Sequence, residues 1–194
     1  MPKLGMEPIR REALVKATIA EIGAQGTLDV TVSQIARRAG MSSALAHHYF
    51  GGKEQIFVAA MRYVMGDYAA EVRGALAMAD APLARVEAIV RASFSERNFR
   101  ADTVASWLNF YVLAQTSPEA RRLLNIYHRR MHSNLVHPLR ALVGNRADEV
   151  ANRVAALIDG VYIRQTLGQG QPDNAAAVAQ LRRCIALETG QGAS

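Results

Sequence analysis

Apolar residues recur at three- and four-residue intervals along almost the whole of this 194-residue chain, and nowhere do they alternate convincingly with polar ones. That pattern points away from a sheet core and towards packed helices. Glycine, proline and small polar caps cut the periodicity into segments. A first helix takes Pro8 in its opening turn and runs to about Gln25, where Gly26 can end it. Its inward face reads Ile9, Ala13, Leu14, Ala17, Ile19 or Ala20, and Ile22. Thr31 is an N-cap for a short helix to Arg38, stopped at Ala39-Gly40, and Ser42 caps a third that ends near Phe50, before Gly51-Gly52. Longer helices are expected from Lys53 to the mid-70s and at about 83–97, 102–115, 118–143, 147–168 and 173–188. The expected fold is all-α with about nine helices. Residues 1–52 form a three-helix headpiece, and 53–194 form a larger helical body.

The stretch 31–50 carries the most information. A helix-turn-helix needs a short first helix with a small-residue contact face, a tight turn, and a second, capped helix. Ile35 and Ala36 supply the buried face, and Ala39 lets the helices approach. Gly40 takes the turn, Met41 plugs the corner, and Ala46 and Phe50, four apart, face inward. The outward face then shows Ser43, Ala44, Leu45, His47 and His48, whose small polar and methyl-bearing groups suit base edges in a major groove. A plainer reading stays open, in which His47-His48-Tyr49 close a hydrophobic corner and Leu45 is core. Arg37 and Arg38 read equally well as solvated surface charge.

Thr31, Ile35-Ala36, Ala39-Gly40, Ser42, Tyr49-Phe50 and Lys53-Glu54 resemble, in identity and spacing, the DNA-binding signature of the TetR family of transcriptional repressors. The resemblance implies that Tyr49 and Lys53 hold backbone phosphates, with Thr31 helping from a helix N-terminus, and that Ser33, Ser43, Ala44, Leu45 and His47 read bases. Ser42 and His48 complete the expected DNA-contacting set. It further implies a ligand chamber in the body and a homodimer formed through the last two helices, with two recognition helices roughly 34 Å apart on a palindromic operator. Those two helices carry Val150, Val154, Leu157, Ile158 and Val161, and then Val178, Leu181, Cys184 and Ile185, at core spacing.

The likeness extends beyond the headpiece. The opening from Met1 to Arg11, Ala46 to Phe50, Trp107 to Tyr111, Arg121 to Leu123, Ser133 to Leu135 and Ala156 to Arg164 resemble the choline-responsive repressors of that family. Those repressors control choline uptake and its oxidation to glycine betaine, so the resemblance implies choline or a related quaternary amine as effector. The chemistry is compatible. A quaternary ammonium offers no N–H, so proteins hold it on aromatic faces, each worth roughly 0.5–2 kcal/mol, with a carboxylate nearby. Trp107, Phe110, Tyr111 and Ala114 form one stripe on the sixth helix. Phe99, Tyr127 and Tyr162 could converge with it, and Asp159 is the candidate counter-charge. The same aromatics at the same spacing also suit a core, and Asp159 could instead pair with Arg153 or Arg164.

Charge is consistent with a DNA-facing end. The net charge is +6, and eight basic residues against five acidic ones fall within residues 1–62, all three lysines, Lys3, Lys16 and Lys53, being among the eight. Other chemistry finds little support. His128 and His132 lie four apart with His137 beyond, but Arg129 and Arg130 flank the pair, so no metal is expected. No phosphate loop, nucleophile elbow or zinc-protease motif appears, and no enzyme and no cofactor are expected. A lone cysteine, Cys184, an opening without an apolar leader and no apolar run near 18 residues give the expectation of a cytoplasmic protein.

Overall fold

The computed structural model describes residues 5–190. Lys3 and the rest of the opening tetrapeptide, and the end of the Gly-rich tail, lie outside the described residues. Nine α-helices follow one another within them: α1 Met6–Gln25, α2 Val32–Arg38, α3 Ser43–Phe50, α4 Lys53–Ala77, α5 Pro82–Ser93, α6 Ala101–Thr116, α7 Pro118–Val143, α8 Ala147–Leu167 and α9 Asn174–Thr189. A single 3-10 turn, Gly144–Arg146, joins α7 to α8. The described residues contain no strand.

Local chemistry sets the short helices. Thr31 caps α2 in a reciprocal box, its hydroxyl accepting from the Gln34 amide at 3.1 Å while the Gln34 side chain accepts from the Thr31 amide at 2.6 Å. The helix closes on Gly40, whose φ of 68° only glycine adopts cheaply, and the Met41 amide reaches back to the Ala36 carbonyl at 2.9 Å. Ser42 caps α3 by accepting from the Leu45 amide at 3.2 Å. Gly26, at φ 68°, ends α1, and its carbonyl accepts from the Asn109 side chain at 3.0 Å.

The chain packs as two compact units. The first comprises residues through Gly66 together with Arg100–Leu123, and the second Asp67–Phe99 together with residues from Leu124 onward. In the first, Leu14, Ile22, Val30, Ile35, Ala36, Ala46, Ile56 and Phe57 form the core, with Ala105 and Leu113 of α6 packed against it. Leu14, Ile35 and Ile56 are fully buried, each worth about 1.5–3 kcal/mol. The packing of α1 on α6 is the most extensive between helices, and α1 passes so close at Gly23 that a β-carbon there would stand 2.6 Å from that of Asp102. The second unit is built on Val86, Ile89, Val90, Phe94, Leu135, Leu139, Val150, Val154, Ile158, Leu181 and Ile185. Glu188 of α9 accepts from Arg146 and Arg153, each at 2.6 Å, which ties the ends of α8 and α9 together.

Two expectations need correcting. Ile9 faces solvent, 61% exposed, so the inward face of α1 begins about a turn later. The fifth helix stops at Ser93 instead of 97, because the buried Asn98 side chain donates to the Ala92 carbonyl at 2.7 Å, the acceptor a further turn would have used. As their core spacing suggests, the apolar stripes Val150, Val154, Ile158, Val161 and Leu181, Ile185 serve their own unit's core. Exposed apolar side chains on these helices are Leu167 and Leu187 instead.

Candidate functional sites

The capped ends of α2 and α3 present one polar surface. Thr31, Ser33, Ser42, Ala44, His47, His48 and Lys53 are exposed, and Ser43, Leu45 and Tyr49 are half-buried. The Ser43 hydroxyl lies 3.0 Å from that of Ser33, joining α3 to α2. His47 Nδ1 stands 2.9 Å from the Gly51 carbonyl. A carbonyl only accepts, so Nδ1 carries a proton and a neutral His47 offers Nε2 as an acceptor. The Tyr49 ring leans on the core and stands 5.5 Å from His48, and the Lys53 ammonium rests 5.5 Å from the Phe57 ring centre at the first turn of α4.

One residue absent from the expected set holds this surface. Arg11 of α1 donates through Nη1 to the Tyr49 carbonyl and lays its guanidinium over the Phe50 ring, 4.4 Å from the centre. A cation at the C-terminal turn of α3 also meets the negative end of that helix. Its sequence neighbours Arg10 and Glu12 are charged as well, so nothing local singled Arg11 out. Arg38 is similarly engaged, donating to the nearly buried Glu21 at 2.6 Å.

The seven aromatic and acidic candidates for ligand binding divide between the units. Trp107, Phe110 and Tyr111 belong to the first. Trp107 and Phe110 are buried, and Trp107 and Tyr111 stand 6.0 Å apart. The second unit brings together Phe99, Tyr127, Asp159 and Tyr162 with two residues the sequence did not flag, Tyr68 and Phe94. Phe99 lies 6.2 Å from Phe94 and 5.2 Å from Tyr162, whose hydroxyl donates to the Asn98 carbonyl at 2.7 Å. Tyr68 meets Tyr127 at 5.9 Å and its hydroxyl stands 2.9 Å from that of Ser93. Tyr127 donates to Asp159 at 3.2 Å. Burial raises the Asp159 carboxyl above its ordinary value, against the opposing pull of His128, 3.9 Å away, and of the Tyr127 hydroxyl. The Tyr68 and Tyr162 phenols are pushed upward by burial and stay neutral. A negative charge set among ring faces is suited to a large, weakly hydrated cation.

His128 and His132 each find a carboxylate on α8, Asp159 and Asp148 (3.7 Å), that their own helix could not reveal. Among the described residues no three His, Cys, Asp or Glu side chains gather as a metal site would need. No helix of the described residues is long and apolar enough to cross a membrane.

Comparison with known proteins places these features. Residues 14–60 match the family described as bacterial regulatory proteins, tetR family, and residues 82–190 match the C-terminal domain of BetI-type transcriptional repressors. The HTH-type transcriptional regulator BetI of Brucella suis is 49% identical over 97% of this chain and 96% of its own length. That of Rhizobium meliloti is 52% identical over 92% and 89%. A transcriptional regulator from Saccharomonospora viridis, solved in complex with choline, shares the fold with a TM-score of 0.80 at 23% identity, over 90% of this chain and 94% of its own.

Proposed function

This chain belongs to the TetR family of DNA-binding transcriptional repressors, with a BetI-type C-terminal domain, and from that premise we propose that it represses genes for choline uptake and glycine betaine synthesis and that choline relieves the repression. The observation that carries the choline reading is the half-buried Asp159 carboxylate beside Tyr127, in the unit that also sets Phe99 5.2 Å from Tyr162. The BetI name of relatives near 50% identity and the choline held by a structural neighbour support it.

On this reading residues 1–52 read DNA, and 53–194 bind the effector and dimerise through α8 and α9. Tyr49 and Lys53 grip phosphates, aided by the first-turn amides of α4 and by Thr31. Ser33, Ser43, Ala44, Leu45 and His47 meet base edges, with Ser42 and His48 at the rim. The dimer sets two such surfaces on a palindromic operator in the cytoplasm. Phe99, Tyr127, Asp159 and Tyr162 hold the quaternary ammonium. Trp107, Phe110 and Tyr111, of the first unit, are the other proposed effector contacts, each open to test by substitution. Choline then shifts the balance between DNA-competent and DNA-incompetent states by its differential affinity for them, typically about 1–3 kcal/mol.

The test is fluorescence anisotropy of labelled DNA from upstream of the gene, at fixed salt, with and without millimolar choline, with glycine betaine and scrambled DNA as controls. Selective binding loosened by choline and untouched by betaine is the expected result. Selective binding indifferent to choline would leave the repressor and remove choline as its effector.

A further inference from the structure

Glu71 stands on α4 three residues after Tyr68, a spacing that puts both side chains on one helix face. Its Oε2 is sealed from solvent and accepts no hydrogen bond. Buried carboxylate oxygens are nearly always paired, because desolvating one with nothing to offset the loss is costly. The other carboxylate near Tyr68 is already served, since Asp159 accepts from Tyr127 at 3.2 Å and has His128 at 3.9 Å. Both carboxylates act on the Tyr68 hydroxyl, opposing its ionisation, which places Glu71 within electrostatic reach of the Tyr68–Tyr127 pair. The unit therefore holds two acids near one aromatic pair, and the sealed oxygen without a hydrogen bond is on Glu71.

We infer that Glu71 is the discriminating anion of this cluster, selecting a cationic quaternary ammonium alcohol over an uncharged molecule of the same shape and over the corresponding zwitterion. The inference rests on choline being the effector. Aromatic faces and volume alone do little to distinguish choline from 3,3-dimethyl-1-butanol, in which carbon replaces the charged nitrogen. A carboxylate with one sealed, unpaired oxygen separates the two by Coulomb attraction where that oxygen is cut off from water. Glycine betaine keeps the cation but adds a carboxylate that Glu71 and Asp159 both repel. Specificity thus comes from one attraction and one repulsion acting through the same side chain.

The test is calorimetric titration of the full-length protein with choline, 3,3-dimethyl-1-butanol and glycine betaine. Wild-type protein is expected to prefer choline to its neutral isostere. Glu71→Gln keeps the shape and removes the charge. It should weaken choline by about 10–100-fold, leave the isostere within about twofold and narrow the gap to betaine. Glu71→Asp, which keeps the charge on a shorter stem, should hold most of the preference and guards against a Gln variant that fails to fold. A Glu71→Gln protein with the wild-type ratio of choline to isostere would overturn the inference while leaving choline as effector. Wild-type protein that binds its operator but no choline would overturn the effector reading and this inference together.

Discussion

On α1 the backbone at Gly23 runs so close to α6 that a β-carbon would meet the Asp102 Cβ at 2.6 Å and its Cα at 2.7 Å. Neither atom is the far end of a flexible side chain, so one helix must move. Gly23→Ala is therefore expected to destabilise the protein by about 1–3 kcal/mol, outweighing the gain of up to about 1 kcal/mol from better helix propensity, and a lowered urea midpoint checks it. In the sequence Gly23 is only a weak point in a helix, because the atom that requires it lies 79 residues away. Arg11 was equally hidden. Its contacts with the Tyr49 carbonyl and the Phe50 ring hold the end of α3 from which Tyr49 projects. Arg11→Ala should weaken operator binding about tenfold with the salt slope unchanged, because no phosphate contact is lost. Lys53→Ala should weaken binding to all sequences and reduce the slope of log affinity against log salt by about 1. Titrations at several salt concentrations separate the two. Thr31, Ser42 and Gly40, by contrast, were legible, since a cap or a turn acts on its immediate neighbours.

Helices were read well where their own residues end them and poorly where a distant group does. Gly26 closes α1 as its backbone freedom suggests, while α5 ends through Asn98, whose role depends on its side chain folding back six residues. Periodicity in α8 and α9 shows that each has an apolar stripe but not what the stripe meets. Val154, Ile158, Leu181 and Ile185 lie together in the core of the second unit. The faces left outside carry Leu167, 67% exposed, and Leu187, 74% exposed, which suit the proposed pairing of α8 and α9 with their mates. Leu187→Asp is expected to shift the protein toward monomer in sedimentation at micromolar concentration while leaving its helical circular dichroism intact. Ile158→Ala, which opens a cavity, should instead cost about 2–5 kcal/mol of stability.

For the molecule as a whole, the expected all-α architecture and its order of nine helices were carried by pattern alone, and the two-unit packing was not. Trp107 and Phe110 form a stripe that sequence offers equally to a core or to a ligand, and α6 spends part of its length on the headpiece core through Ala105 and Leu113. Trp107→Ala should blunt the choline response while sparing DNA affinity if the stripe serves the ligand; an unchanged response in the anisotropy assay removes Trp107 from the site. The cation chemistry also makes a pH prediction. Burial raises Asp159, so its protonated form persists to higher pH than in a free carboxylate. A bound cation favours the ionised form, lowers that pKa and expels a proton. Choline affinity should therefore fall as pH drops through the raised value, and titrations in buffers of different ionisation heat should show proton release.

The headpiece core is completed by a segment made late. After Gly66 the ribosome adds 57 residues before it reaches Leu123, the end of the piece that joins the first unit. At ~5–20 residues per second that takes about 3–11 s. Through that interval α1 exists without the α6 residues that cover it, and the nascent chain offers chaperones and proteases a bare apolar face. Chains released early by truncation or a premature stop lack the same cover. A chain ended before α6 is therefore expected to carry a headpiece less stable than that of the full-length protein, which thermal unfolding of the fragment would check.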